Sequence, residues 1–290
     1  MRRIDDRSIR ILSRATLLRR GMTGYGITRA VRSGRLFRIR RDHYTEIEPP
    51  EDIRAAIRVG GRVGCVSALQ ALGVFVMHGL STEHIHIEPL SSRLRGAAQS
   101  DRRLCDSDRT GIELHWAPLL DACSASAHTV SVIDALVQAA VCQPARMAVA
   151  TLDSALFLEL VDWADIDRIF AVLPAKRQVL KRLLNGRCES GAETLLALIL
   201  RQLGYRFEVQ RSFAGIGRVD FLVEGCLVIE VDSRSYHEGW ANAVNDRTRD
   251  LKFGALGLPT LRPLYQHIVF EQQLVRDAIR GIVEPVLAAR

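Results

Sequence analysis

The chain lacks the features of membrane and secreted proteins. No apolar run in its 290 residues reaches the roughly 18 residues of a membrane-spanning helix. Its start, MRRIDDRSIR, has no apolar core of the kind found in signal peptides. We therefore expect a cytoplasmic protein without a membrane partner. With 48% hydrophobic and 25% charged residues, the composition is that of a globular protein long enough for two domains.

The six cysteines lack the spacing of a disulfide framework or a zinc motif. There is no C-x-x-C pair, and no histidine lies at zinc-ligand spacing from a cysteine. The pattern predicts free, reduced thiols without an assigned role. His84 and His86 in EHIHIE share a strand face, but no cysteine or third histidine is placed to complete a metal site. We interpret both as structural residues of a half-exposed strand.

Lysine is scarce, and arginine is concentrated at the N-terminus. Only three of the 40 basic residues are lysine. Residues 1–41 hold thirteen arginines and two acids, a net charge of +11, whereas the whole chain carries +7. This asymmetry indicates a nucleic-acid-binding end. The alternative is a solvated basic face, since a general bias toward arginine explains the residue type but not the clustering.

The order of local signals in this basic end predicts a winged helix-turn-helix. Thr23 can cap a second helix, and Gly34 ends it. The segment LFRIRRDHYT alternates apolar and basic residues, as a short strand or hairpin does. A first helix before them is indicated by four apolar residues, Ile9, Leu12, Leu17 and Leu18.

The segment RRGMTGYGITRAVRSGRLFRIRRDHYT resembles the N-terminal domain of AbiEi-type antitoxins. The resemblance extends loosely to residue 90 through CVSALQALGVFVMHGLSTEHIHI, which looks like the helix and strand that follow in those proteins. It implies a domain over 1–90 that binds double-stranded DNA, and it leaves open a cognate toxin partner and a homodimer. The implied DNA-binding residues are Arg29, Arg32 and Arg35 on or just past the second helix, and Arg38, Arg40 and Arg41 on the wing. Most of them should contact phosphate rather than bases.

Residues 91–185 are predicted to be a linker followed by a helical connector. Residues 91–110 are polar and rich in Arg, Ser and Asp, which is typical of a loop. Beyond them, IELHWA is predicted to be a strand, and four further segments up to residue 185 have helical apolar spacing. We find no chemistry in 111–185, and the segment is either a connector or a dimerisation surface.

Residues 186–290 predict a small mixed α/β domain with its own core. A helix over SGAETLLALILRQLG, opened by Ser190, is followed by the strands RFEVQRSF, GRVDFLVEG and CLVIEVD. A helix over ANAVNDRTRDLKFGALG, the strand PTLRPL and a closing helix complete the order α, β, β, β, α, β, α. The whole chain is thus expected to be of α+β class with two domains.

Carboxylates interrupt two of these apolar strands. If residues 224–226 form a three-residue hairpin loop, Val223 pairs with Leu227, and Asp220 lies directly opposite Glu230. Side chains opposed in this way are close enough to hold one divalent cation, and Asp232 shares their face. A two-residue loop would turn Asp220 away. In the structural alternative, Arg218 lies opposite Asp232 and neutralises an acidic strand end.

The region from about 189 to 283 resembles the PD-(D/E)XK nuclease fold, most closely its very-short-patch-repair-like branch, the domain of unknown function 559. The likeness is carried by GAETLLALILRQLGYRFEVQRSF, GRVDFLV, LVIEVDS, NDRTRD and LGLPTLRPL. It implies a restriction-endonuclease-like domain, with Asp220 and Glu230 as ligands of Mg²⁺ or Mn²⁺. The other implied site residues are Glu193 as an auxiliary acid, His237 on the following loop, and Asp246, Arg249 and Asp250 on a supporting helix. Asp232 falls where the wider superfamily has its lysine, and its shared strand face makes it the expected third metal ligand.

This sequence departs from the family pattern in two ways. Ser233 replaces a usual glycine, and no lysine occupies or neighbours position 232, so His237 or the metal would have to activate water. We expect metal-dependent hydrolysis of DNA phosphodiester bonds. The alternatives are a non-catalytic AbiEi-like antitoxin or repressor that uses the nuclease fold as a binding platform, and a plain interaction protein.

Overall fold

The computed structural model describes residues 9–77, 82–98, 102–105, 109–232 and 240–290, without the side chains of 240–243 and 246. The chain divides into two compact units. One comprises Met1–Gln143 and Trp163–Pro174, and the other comprises Pro144–Asp162 and Ala175–Arg290. The predicted connector over 91–185 is therefore shared between the two units. None of the helices in the described ranges has the length and apolar composition that a membrane crossing requires.

The protein is of mixed α and β class, with sheets of two, three and four strands. The α-helices are α1 Arg14–Arg19, α2 Gly24–Arg32, α3 Glu51–Val59, α4 Cys65–Ala71, α5 Val132–Cys142, α6 Ala145–Phe157, α7 Trp163–Val172, α8 Ala175–Gln178, α9 Gly191–Leu203, α10 Trp240–Ala255, α11 Tyr265–Phe270 and α12 Gln272–Ala288. The strands are β1 Phe37–Arg40, β2 His43–Thr45, β3 Arg62–Val63, β4 Glu83–Ile87, β5 Ile112–Trp116, β6 Phe207–Phe213, β7 Gly217–Val223, β8 Leu227–Ile229 and β9 Thr260–Leu261. Short 3₁₀ helices cover Ala122–Ser124 and Val179–Leu183.

The first unit begins with two short helices and a hairpin. The Oγ1 atom of Thr23 accepts the Gly26 N–H at 3.0 Å and caps α2, as expected, and Gly34 follows the helix with a φ of 72°. Strands β1 and β2 pair antiparallel. The predicted first helix begins later than expected, because Leu12 forms a β-bridge with Tyr44 instead. A hydrophobic cluster unites these elements: Leu12, Leu17, Ile27, Ala30, Leu36 and Tyr44.

The rest of the first unit is built around the three-stranded sheet β3-β4-β5. Strand β3 is antiparallel to β4, and β4 is parallel to β5. Helix α4 packs against both β4 and α5, and α5 packs against α7. Strand β4 is consequently buried, with His84 exposed by 4% and His86 by 1%. The expectation of a half-exposed strand at these histidines is wrong.

The second unit contains the predicted order of helices and strands over residues 190–290, with the unpredicted helix α11 added before α12. Its sheet has the order β6-β7-β8-β9, in which the first three strands are antiparallel and β9 runs parallel to β8. Helix α9 begins after Ser190, whose Oγ accepts the Glu193 N–H. Helices α6, α11 and α12 pack against α9, and Phe253 of α10 packs on the sheet with Val219, Leu222 and Val228.

Candidate functional site

The hairpin register that the carboxylate hypothesis requires is confirmed. Val223 pairs with Leu227, and Phe221 pairs with Ile229, so the next position of each strand places Asp220 opposite Glu230. The loop has three residues, and Gly225 in it takes a φ of 65°, which is the left-handed region that suits glycine. The β7 and β8 strands therefore bring these two acids to the same end of the hairpin.

Asp220 is half-buried and has two polar neighbours. Its Oδ2 accepts the Val231 N–H at 2.7 Å, and its Oδ1 lies 3.5 Å from Nε2 of Gln210. Gln210 stands on β6 between residues that pair with either side of Asp220, and its φ is 56°. A non-glycine residue at positive φ inside a strand costs free energy, and such strain is found at functional sites more often than elsewhere.

Glu193 lies on the other side of Gln210. It is 6% exposed, and its carboxylate accepts hydrogen bonds from the Ser190 hydroxyl at 2.8 Å and the Glu189 N–H at 2.9 Å. Nε2 of Gln210 donates to the same carboxylate at 2.9 Å. Gln210 therefore links Glu193 and Asp220. Sequence reasoning missed this residue, although a three-residue loop over 214–216, by the same argument, would have placed it opposite Asp220.

Glu230 is held by two arginines. Its Oε1 accepts a hydrogen bond from Nη2 of Arg249 at 2.6 Å, and its Oε2 lies 2.5 Å from Nη2 of Arg262 in an ion pair. The Arg262 guanidinium also donates to Asp250 at 2.9 Å, while Arg249 donates to the Arg218 carbonyl at 2.7 Å. Three of the predicted site residues, Glu230, Arg249 and Asp250, thus belong to one charge network that Arg262 completes.

The remaining predicted site residues lie partly outside this network. Asp232 is half-buried, and its backbone N–H donates to the Pro263 carbonyl at 3.2 Å. Arg218, which the structural alternative places opposite Asp232, forms an ion pair with Glu189 at 2.5 Å. His237 and the side chain of Asp246 lie outside the described residues.

Burial controls the protonation of the three inner acids. It raises the pKa of Asp220 above the usual range, despite the hydrogen bonds from Val231 and Gln210. Burial also raises the pKa of Glu193, with a further increase from the negative charge of Asp220. The pKa of Glu230 is raised by burial too, although Arg262 and Arg249 oppose this. A cation at this end of the hairpin would therefore favour the ionised acids.

Helix α2 of the first unit has a basic face. Tyr25, Thr28, Arg29 and Arg32 are all exposed and are spaced along one side of α2, with Tyr25 exposed by 77%. No acidic residue occurs in α2, and none of the ion pairs between described residues involves Arg29 or Arg32. The face is thus open to an anionic partner.

The arginines after α2 differ in their surroundings. Arg35, Arg38 and Arg41 are exposed. Arg40 is half-buried, and its Nη1 donates to the Ile57 carbonyl at 3.3 Å. Burial lowers the pKa of Arg40, with a further decrease from Arg95. The contact with Ile57 directs this side chain toward α3, and the strand pairing is irregular between Arg38 and Arg40, so Arg40 does not follow Arg38 into solvent.

A second group of potential ligands lies in the first unit. Cys65, His84, His115 and Cys142 each offer one ligand atom, and these four atoms all lie within 4.8 Å of one another. The group can hold a metal ion, and its sulfur and nitrogen donors are not those that Mg²⁺ prefers. It is the one such group among the described residues, so no three carboxylates around Asp220 meet the same distance.

This group corrects two expectations. The cysteines are free thiols, but Cys65 and Cys142 do lie beside histidines, and His84 does have a third histidine and two thiols as neighbours. Residues 111–185, thought to lack chemistry, supply His115 and Cys142. Hydrogen bonds from Cys65 and then from the two imidazoles hold the pKa of the Cys142 thiol well below its usual range, whereas the pKa of Cys65 is raised by that hydrogen bond and by burial.

Comparison with known proteins adds no family. No protein-family model matches the chain, and a search of curated proteins finds no significantly similar sequence.

Proposed function

We propose that this protein binds double-stranded DNA through its N-terminal helices and hydrolyses DNA phosphodiester bonds with its second unit. The observation that carries the proposal is the meeting of Asp220 and Glu230 at one end of a hairpin, with Glu193 linked to Asp220 through Gln210. Glu193 and Asp220, which Gln210 links, are costly to keep ionised unless a cation or a proton neutralises them. The nuclease-like and AbiEi-like assignments are part of this proposal.

A hard divalent cation fits these residues by donor type. Asp220 and Glu230 offer carboxylate oxygens, which Mg²⁺ and Mn²⁺ prefer, and Glu193 and Asp232 lie nearby as further acids. Such an ion, when bound, supplies positive charge to a scissile phosphate and lowers the pKa of a bound water. Before Glu230 can bind a cation, it has to exchange its contacts with Arg249 and Arg262.

The chain's own groups then bind and orient the DNA. Arg249 and Arg262 keep positive charge at the acids, and both guanidiniums are suited to bidentate contact with phosphate once Glu230 turns away. Gln210 holds the Glu193 and Asp220 carboxylates in fixed positions. These residues form the positioning machinery of the proposed site.

The helices α1 and α2 with the hairpin β1-β2 are proposed to be a winged helix-turn-helix. In this arrangement α2 is the recognition helix, and its exposed Arg29 and Arg32 contact the DNA backbone. Arg35, Arg38 and Arg41 would extend the contact along the hairpin. The +11 charge of residues 1–41 supplies the attraction to the polyanion.

A non-catalytic DNA-binding protein is the second candidate. It is favoured by the contacts of Glu230, whose two carboxylate oxygens each contact one arginine. It is also favoured by the hydrogen bond that the Val231 N–H donates to the Asp220 carboxylate. No lysine stands at or beside position 232 to assist a water. In this form the second unit would act as a binding surface, as in a repressor or antitoxin.

A supercoiled-plasmid nicking assay distinguishes the two candidates. The full chain is incubated with plasmid and Mg²⁺ or Mn²⁺, and the nicked and linear products are measured. We expect metal-dependent nicking by the wild type and its loss in Asp220→Asn. The matched control is Glu208→Gln on the same sheet, an exposed carboxylate that pairs with Arg211 and should leave nicking unchanged.

Two results would contradict parts of this proposal. DNA binding without nicking in either metal would leave the non-catalytic candidate. The DNA-binding proposal itself would be contradicted if the protein bound no duplex DNA at any salt concentration. It would also be contradicted if the affinity did not weaken as salt increases, since phosphate contacts make affinity salt-dependent.

A further inference from the structure

The four ligands of the Cys/His group come from four different elements of the first unit. Cys65 begins α4, His84 lies on β4, His115 on β5, and Cys142 ends α5. Parallel pairing places His115 next to His86, and alternation along β4 turns His84 to the same face. Because α4 and α5 pack together and α4 covers β4, both thiols reach this face.

The backbone at Cys65 is specialised for this position. Cys65 has a φ of 49°, a left-handed conformation that is uncommon for a residue with a side chain. Its N–H donates to Oε1 of Gln138 at 2.9 Å, and Nε2 of Gln138 lies 3.1 Å from Nδ1 of His86. At Gly64 an added Cβ would lie 2.5 Å from the same Gln138 oxygen, so a larger residue there would displace this oxygen from the Cys65 N–H. Gln138 therefore fixes the turn that places the Cys65 thiol.

The distances between ligand atoms are close to those around one zinc ion. Nδ1 of His84 lies 2.9 Å from Nε2 of His115, and Sγ of Cys142 lies 3.8 Å from Nδ1 of His84. In a tetrahedral site with Zn–N near 2.0–2.1 Å and Zn–S near 2.3 Å, ligand atoms are about 3.3–3.8 Å apart. The other pairs of ligand atoms lie within 4.8 Å, so shifts of about 1 Å or less would admit the ion.

We propose that Cys65, His84, His115 and Cys142 bind one Zn²⁺ ion in a closed, four-coordinate structural site. Two thiolates and two imidazoles are a donor set that selects zinc over Mg²⁺ or Ca²⁺. All four coordination positions come from the protein, so the ion has a structural role and leaves no position for a substrate. This inference is independent of the proposed nuclease activity.

The four ligands differ in burial, so the proposed zinc site has a buried side and a side that solvent can reach. Cys65 and His84 are buried, His115 is half-buried, and Cys142 is exposed. The exposed thiol provides an entry path for the ion. Once bound, the ion ties α4, β4, β5 and α5 together, so it stabilises the folded first unit by an amount set by its concentration and dissociation constant.

The test uses the full chain, purified without chelator or added metal, and measures zinc per chain by elemental analysis. We expect about one zinc ion per chain, as a closed Cys₂His₂ site requires. After removal of the metal, added Co²⁺ should produce the visible absorption of tetrahedral cobalt and a near-ultraviolet sulfur-to-cobalt band. Zn²⁺ should then displace Co²⁺ and abolish both signals.

Variants keep the test specific. Cys142→Ser is the least disruptive ligand change, because the residue is exposed. It should abolish zinc retention and weaken the sulfur-to-cobalt band. Cys123→Ser, at another exposed cysteine in the 3₁₀ helix Ala122–Ser124, is the matched control and should retain zinc and the full cobalt spectrum.

Three outcomes would overturn the inference. Wild-type protein could contain no zinc and give no tetrahedral cobalt spectrum. Zinc content could be equal in the wild type and Cys142→Ser, which would place the ion elsewhere. Mass spectrometry of the unreduced protein could show a Cys65–Cys142 disulfide in metal-free chains, in which case the two thiols pair with each other instead.

Discussion

Buried acids in this protein are stabilised by different partners, and their responses to substitution should differ accordingly. Glu230 faces two guanidiniums, so its charge is neutralised within the protein. Asp220 has only N–H neighbours and no direct ion pair in its described surroundings. Asp153, which is fully buried in the second unit, likewise accepts hydrogen bonds from N–H and hydroxyl groups.

Asp220→Asn should separate a metal site from a structural acid. If Asp220 binds a divalent cation, Mg²⁺ or Mn²⁺ at about 5 mM should raise the melting temperature of the wild type and not that of the variant, because an ion that binds only the folded state stabilises it. The metal-free variant should be as stable as the wild type or more so, because one poorly neutralised buried charge is gone while the Val231 N–H keeps an acceptor. Calorimetry with and without metal measures this, and a wild type indifferent to both ions would contradict the metal site.

Asp153 predicts a defined dependence of stability on pH. Burial raises its pKa above the usual range, although the Asn185 and Gly186 N–H groups and the Thr194 hydroxyl oppose this. The folded state therefore binds this proton more tightly than the unfolded state. The resulting stabilisation is present below the unfolded pKa of about 4 and is lost as pH rises through the folded pKa.

Asp153→Asn removes this titration while keeping an acceptor for the two N–H groups. The free energy of unfolding of the wild type relative to the variant should therefore fall as pH rises from about 4 toward neutral. Urea denaturation at several pH values measures the difference. Asp277→Asn, at an exposed position on α12, is the control and should show a flat difference. A flat difference for Asp153→Asn would show that its pKa is not raised.

At the scale of elements, α2 combines a buried and an exposed face with separate roles. Ile27 and Ala30 pack into the core of the N-terminal helices, while Arg29 and Arg32 point to solvent. Substitutions on the exposed face should therefore change binding without unfolding the unit. Thr23 holds the start of this helix, so its role is structural.

Replacing Arg29 and Arg32 together by glutamine should weaken binding to duplex DNA of any sequence. If each arginine contacts one phosphate, the slope of log affinity against log salt should decrease in magnitude by about 1.8, or 0.9 per contact. Fluorescence anisotropy across a salt series measures the slope, and circular dichroism checks the fold. Arg280→Gln on α12, an exposed arginine of the other unit, should leave the slope unchanged. An unchanged slope in the double variant would exclude α2 as the contact surface.

At the scale of the whole molecule, the two compact units are interleaved along the chain. The second unit takes α6 from residues before 163 and everything from 175 onward, while the first takes α7 from between them. Helix α6 packs on α9, and Asp153 in α6 binds the backbone of Asn185 and Gly186. The fold of the second unit therefore depends on a segment outside the predicted domain 186–290.

A fragment of residues 144–290 should fold cooperatively, whereas 186–290 should be markedly less stable. Loss of α6 exposes the almost fully buried helix α9 and leaves Thr194 without its Asp153 partner. Urea denaturation, monitored by far-ultraviolet circular dichroism, compares the two fragments. Equal midpoints would show that α6 contributes nothing and that the second unit begins at 186.

Local sequence patterns were sufficient for most helices and strands of the second unit and for one strand register. Thr23 and Ser190 mark helix starts through their own side-chain hydrogen bonds, and the three-residue loop at Gly225 determines that Asp220 faces Glu230. These features depend on residues a few positions apart, so the order of residues encodes them directly. The DNA-binding and nuclease assignments stay predictions.

Only the tertiary structure decided which distant residues meet. Cys65, His84, His115 and Cys142 come from four elements spread over 78 positions and converge through sheet pairing and helix packing. Arg262 reaches Glu230 because β9 lies beside β8, and α6 joins the second unit across an intervening helix. Spacing in the sequence carries no signal for such contacts, because the chain between the partners is long enough to permit many arrangements and packing selects one.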